Sequence, residues 1–160
     1  MRLPYWPALT ALALSGGCDL PMPLEPTDGP MLGVWTLTSH LTRDSIPSTC
    51  DGTSTLTITE QSPDGALSWT LDQVMTCAPA ESWLHGRHYY HDGWENTAWA
   101  IAWSNNIRIQ TPDPWLTPGC RYVGTMEDDS FTRMTGLVTC QPGGTSTLSE
   151  YRGTWEAVRQ

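Results

Sequence analysis

The sequence predicts an all-β protein, an antiparallel up-and-down barrel of eight or nine strands, with a two-sheet β-sandwich as the other arrangement open to such a chain. Three observations carry this. Thirteen Pro and fourteen Gly among 160 residues interrupt the chain at short intervals. The runs between them are rich in Thr and Trp and alternate apolar with polar residues, the period of a half-buried strand. Two of these runs fold back on strong turn signals, and none carries a helical period. A chain of this length supports one domain with a real core.

Taken in order, residues 1–17 read as an export signal. Arg2 is their only charge, and "LPYWPALTALAL" is an apolar run ending in Ser15, Gly16 and Gly17. The run falls short of the roughly 20 residues a membrane-spanning helix needs. Cys18, directly after these small residues, resembles the lipobox of bacterial lipoproteins, although Leu14 stands one place before the position that pattern gives its Leu. The resemblance implies that Cys18 is lipidated and becomes the mature N-terminus, anchored to a membrane of the bacterial cell envelope. A plain secretory signal, leaving a periplasmic or secreted protein, is the alternative. Residues 18–31 contain Pro21, Pro23, Pro26 and Pro30 and predict an extended tether. The domain proper is residues 32–160.

Its first strand, 32–40, sets Trp35 and Leu37 against Val34, Thr36 and Thr38. A hairpin follows, turning at Ser62-Pro63-Asp64-Gly65, where Pro presets the second φ and Gly accepts a left-handed conformation. Centred there, facing residues have numbers summing to 127: Ile58 with Trp69 and Leu56 with Leu71 on an apolar face, Thr59 with Ser68, Thr57 with Thr70 and Thr55 with Asp72 on a polar one. Carried outward, this register places Cys50 opposite Cys77. A strand near 84–91 comes next, then 96–103 and 107–111 around an Asn105-Asn106 turn. The second hairpin turns near Asp128-Asp129-Ser130 and pairs residues summing to 260: Met126 with Met134, Gly124 with Gly136, Tyr122 with Val138, and Cys120 with Cys140. The last strand, 151–158, sets Tyr151, Gly153, Trp155 and Ala157 on one face.

Two independent registers therefore predict disulfides Cys50–Cys77 and Cys120–Cys140. Each contributes about 3 kcal/mol in the chain-entropy model, and disulfides fit an exported chain. Cys18 is left over as the fifth cysteine.

Gly33-Val34-Trp35 on the first strand is similar to the Gly-x-Trp motif of lipocalins, and Gly153-Thr154-Trp155 repeats the pattern on the last. With the lipobox-like Cys18, the layout resembles small bacterial lipoproteins with lipocalin-like or avidin-like β-barrels. The resemblance implies that Trp35 packs across a closed barrel end and that the first and last strands meet.

The net charge of −9, with eight Arg and no Lys, argues against nucleic acid as a partner. There is no Gly-x-Ser-x-Gly, phosphate-cradling Gly-rich loop, His-Glu-x-x-His or Cys-x-x-Cys, so the sequence predicts neither an enzyme nor a cofactor. His85, His88 and His91 recur every third residue, but on a strand His88 faces away from the other two, and no metal site is predicted. The remaining chemistry is aromatic. Residues 98–103 carry Trp99, Ile101 and Trp103 on one face and Ala98, Ala100 and Ala102 on the other. By default the larger face fills the core; with the alanine face inward, an eight-stranded barrel keeps room for one small ligand. Trp69, Trp99, Trp103 and Tyr122 are the predicted wall residues for a small apolar or aromatic ligand. The alternative is an envelope protein with a filled barrel that acts through protein contacts on its outside.

Overall fold

The computed structural model describes residues 31–43, 47–92, 98–103, 105–111, 118–127, 131–143 and 150–160. The expected export signal, Cys18 and most of the expected tether lie outside the described residues, as does the turn expected at Asp128-Asp129-Ser130. Nine strands and no helix are present among the described residues: β1 (Gly33–Arg43), β2 (Ser48–Gln61), β3 (Leu67–Ala78), β4 (Gly86–His91), β5 (Trp99–Trp103), β6 (Asn106–Gln110), β7 (Gly119–Met126), β8 (Arg133–Gln141) and β9 (Tyr151–Arg159). All pair antiparallel in one sheet of order β4-β3-β2-β1-β9-β8-β7-β6-β5, so the chain is an up-and-down barrel and not a two-sheet sandwich. Every sequence neighbour is a sheet neighbour except β4 and β5, and β1 pairs with β9 over Trp35–Thr42.

The sheet curls until β5 reaches the β2–β3 turn. There Ala66 bridges Ile101, and the Ala102 N–H donates to the Gly65 carbonyl at 2.8 Å. Gly65 is required twice over. Its φ of +88° is left-handed, and a Cβ would collide with the Ala102 carbonyl.

The registers match both hairpin predictions from Cys50↔Cys77 to Ile58↔Trp69 and from Cys120↔Cys140 to Met126↔Met134. One pairing differs: Ser68 faces Glu60 instead of Thr59, with a bulge between Ile58 and Glu60. The cause is the turn, in which the Ser62 N–H donates to the Ala66 carbonyl at 2.8 Å around a three-residue loop. Such loops end in a left-handed Gly and displace the register by one residue, and the bulge at Thr59 restores it.

Alternation sends Trp35, Leu37 and Leu41 inward from β1, Leu56 and Ile58 from β2, and Trp69, Leu71 and Met75 from β3. β7, β8 and β9 add Tyr122, Met126, Met134, Val138, Trp155 and Ala157. Threonines cover much of the outside, with Thr36↔Thr55 and Thr38↔Thr53 facing each other across β1 and β2. At β5 the default expectation reverses, because Ala100 and Ala102, with Ala98 just before the strand, are buried while Ile101 is half-buried. Directly paired residues share a face. The inward Tyr122 therefore sets Ile109, and Ile109 and Ile107 in turn set Ala100 and Ala102. The side chains of Trp99 and Trp103 lie outside the described residues.

Candidate ligand site in the barrel interior

Both ends of the interior are covered. At one, Trp35 is fully buried, its indole N–H donates to the Met31 carbonyl at 3.1 Å, and the Arg159 guanidinium lies 5.8 Å over its ring. Arg159 also donates to the Leu32 carbonyl at 2.5 Å, tying the end of β9 to the entry of β1. At the other end the β3–β4 loop crosses to β9. The Tyr151 hydroxyl lies 2.9 Å from Ser82 Oγ and 2.7 Å from Ser48 Oγ, Trp83 packs edge-on against the Tyr151 ring at 6.1 Å, and Leu84 is buried. Burial raises the Tyr151 pKa, but hydrogen bonds with Ser48, Ser82 and Arg43 outweigh it and hold the phenol below its ordinary value. Both cysteine pairs are bonded near this end, with S–S distances of 2.01 Å for Cys50–Cys77 and 2.03 Å for Cys120–Cys140.

Between the ends, Trp155 lies flat against β7 and β8. Its N–H is shared between the Leu137 and Val123 carbonyls at 3.1 and 3.3 Å, in space that Cβ atoms at Gly124 and Gly136 would occupy. Tyr122 meets it edge-on at 5.9 Å. The Tyr122 hydroxyl accepts from Gln73 Nε2 at 2.6 Å, which joins opposite walls of the barrel. Burial pushes the Tyr122 phenol far up, nearby Tyr90 adds to this, and the Gln73 hydrogen bond opposes it. Tyr90, facing inward from β4, is pushed up to about 12 by burial.

Three buried polar atoms have no hydrogen-bond partner among the described residues: Trp69 Nε1, Ser54 Oγ and Gln73 Oε1. Ser54 and Gln73 face each other directly across β2 and β3, with relative exposures of 3% and 0%. Along the same inward row Leu37 stands beside Ser54, followed by Ala157 and Met134, and half-buried His88 stands beside Gln73. Every buried polar residue among those described is uncharged.

The structure thus brings Trp69 and Tyr122, two of the predicted wall residues, into one interior. Sequence reasoning missed Ser54, Gln73 and Tyr90. The available signal was phase: Gln73 falls in step with Trp69, Leu71, Met75 and Cys77, and Ser54 with Cys50, Leu56 and Ile58. A polar residue in the buried phase of an apolar strand marks either a satisfied network or a site.

The histidines each engage a separate partner. His85 Nδ1 accepts the Cys77 N–H at 3.0 Å, His88 Nε2 lies 3.0 Å from the Leu84 carbonyl with its ring stacked on Tyr90, and His91 Nδ1 lies 2.7 Å from the Asp92 carbonyl. No metal-holding group of three ligands occurs among the described residues.

On the outside, an open depression of about 680 Å³ crosses β2, β1, β9 and β8. Its rim carries the His40–Asp51 pair at 2.6 Å and Glu156, which pairs with Arg133 at 2.9 Å. Leu137, 67% exposed, lines its edge and faces exposed Val123 on β7.

Compared with protein-family models, curated proteins and solved structures, the chain has no significant match to any of them.

Proposed function

We propose that this protein is an exported bacterial lipoprotein, anchored through Cys18, whose lipocalin-like barrel binds one small apolar or aromatic ligand. The observation that carries the ligand reading is the inward alanine face of β5, which gives the interior only methyl groups from Ala98, Ala100 and Ala102. The unpartnered Trp69 Nε1, Ser54 Oγ and Gln73 Oε1 support it, because a buried polar group left unpaired in a folded core costs stability. A few convergent polar groups within an apolar wall are the usual makeup of a small-molecule site. The anchor reading rests on residues 1–17 and on Cys18, the cysteine left over once the other four are bonded.

Titration with Nile red and a panel of neutral aromatic molecules tests the ligand reading. Saturable quenching or a spectral shift of tryptophan emission, with far-UV circular dichroism unchanged, is the expected result. A flat response across the panel sinks it. It would favour an envelope module acting through its outer surface, the reading that exposed Leu137 and Val123 beside the outer depression support.

A further inference from the structure

The unpartnered atoms at the centre of the barrel have a definite chemical complement. Gln73 uses Nε2 twice, donating to the Tyr122 hydroxyl at 2.6 Å and to Met75 Sδ at 3.2 Å. Its carbonyl oxygen, an acceptor, is left without a partner among the described residues. Ser54 Oγ, on the facing strand, is likewise without one and can donate its proton. Directly opposed residues of an antiparallel pair hold their Cβ atoms roughly 5 Å apart. The wall at this level therefore presents one acceptor beside one donor, flanked by the apolar Leu37, Ala157 and Met134 beyond Ser54 and by half-buried His88 beyond Gln73.

We propose that Ser54 and Gln73 are the polar anchor of the interior site, and that its ligand is a neutral molecule whose apolar body carries an amide-type head. This rests on the reading that the barrel takes a ligand at all. In an amide, lactam or ureide an N–H stands next to a C=O. The N–H donates to Gln73 Oε1, and the C=O accepts from the Ser54 hydroxyl. Matching both atoms favours this class over a hydrocarbon, which leaves both unpaired, and over a ketone, which leaves Gln73 Oε1 unpaired. A carboxylate fails for a second reason. The buried polar residues described are all uncharged, and the one ionisable neighbour in the row, half-buried His88, already sets its Nε2 3.0 Å from the Leu84 carbonyl, so an ionised ligand would lose its water and gain little counter-charge.

The test uses the oxidised, full-length chain and calorimetric titration with benzamide, toluene and benzoate. Benzamide is expected to bind roughly 10- to 100-fold more tightly than toluene, the range set by leaving such groups unpaired, and benzoate more weakly than benzamide. In Ser54→Ala and in Gln73→Leu the preference for benzamide over toluene shrinks towards unity, while toluene still binds. Gln73→Leu also strips Tyr122 of its partner, so Ser54→Ala is the variant that keeps the test decisive. Its ligand-free melting temperature is expected to rise, because it removes a buried hydroxyl that bonds to nothing. Equal affinities for toluene and benzamide in the native protein overturn the anchor and leave the ligand reading standing. Failure of all three probes and of Nile red overturns both. A lower melting temperature for Ser54→Ala overturns the anchor, since the hydroxyl would then already be satisfied, for instance by an ordered water.

Discussion

Trp155 shows how single residues set the interior. Its indole lies against the β7–β8 backbone because Gly124 and Gly136 leave that surface bare, and its N–H meets two carbonyls there. A Cβ at Gly136 would collide with the Val123 carbonyl and with the indole. Gly136→Ala is therefore expected to destabilise by about 3 kcal/mol, at the upper end for overpacking, measured by urea unfolding. Exposed Thr154→Ala on the same wall is expected to stay within about 0.5 kcal/mol. The interior tyrosines set the alkaline limit. Burial raises the Tyr90 pKa to about 12 from its ordinary 10, and that of Tyr122 further. The unfolded chain then releases these protons before the folded one does. Stability is thus full below about pH 10 and falls as the pH climbs through 12. Thermal melts between pH 8 and 12, with phenolate absorbance followed in parallel, are expected to show unfolding and tyrosine ionisation together. Ionisation of every tyrosine near pH 10 in a still-folded chain would contradict this.

At the scale of elements, the hairpins were legible because their information is local. Ser62-Pro63-Asp64-Gly65 specifies a turn, and alternating Thr with Leu, Ile and Trp specifies which side is buried, so the cysteine partners follow by counting. The one slip, at Thr59, came from a turn one residue longer than assumed, which the bulge then absorbs. Non-reducing peptide mapping is expected to link Cys50 to Cys77 and Cys120 to Cys140, with Cys18 carrying acyl mass in the cell-derived protein. A Cys50–Cys120 link would refute the pairing, and an unmodified Cys18 would refute the anchor. Replacing either pair with alanines is expected to cost about 3 kcal/mol, given sequence separations of 27 and 20 residues.

For the whole molecule, the decisive contacts join parts far apart in sequence. β1 pairs with β9, Arg159 covers Trp35, and Ser82 reaches Tyr151 across the barrel mouth. The repeated Gly-x-Trp on the first and last strands pointed to the first of these. Nothing local pointed to the others, because a loop's docking partner depends on where the sheet has brought its far side. The same holds for the candidate site. Trp69 and Tyr122 were legible as aromatic residues in the buried phase, whereas Gln73 gains its meaning only when the curled sheet sets it against Tyr122 from β7.

The amino-acid sequence by itself determined the strand class, both hairpin registers, the two cysteine pairs and which one of the five cysteines is left over. Each follows from period-two patterning and turn chemistry, which act over a few residues. Which face of 98–103 turns inward was decided only by the tertiary structure. Both faces of that segment are apolar, so burial has no local preference. Its phase is handed down from Tyr122 through Ile109 and Ile107 to Ala100 and Ala102 by the pairing of three strands.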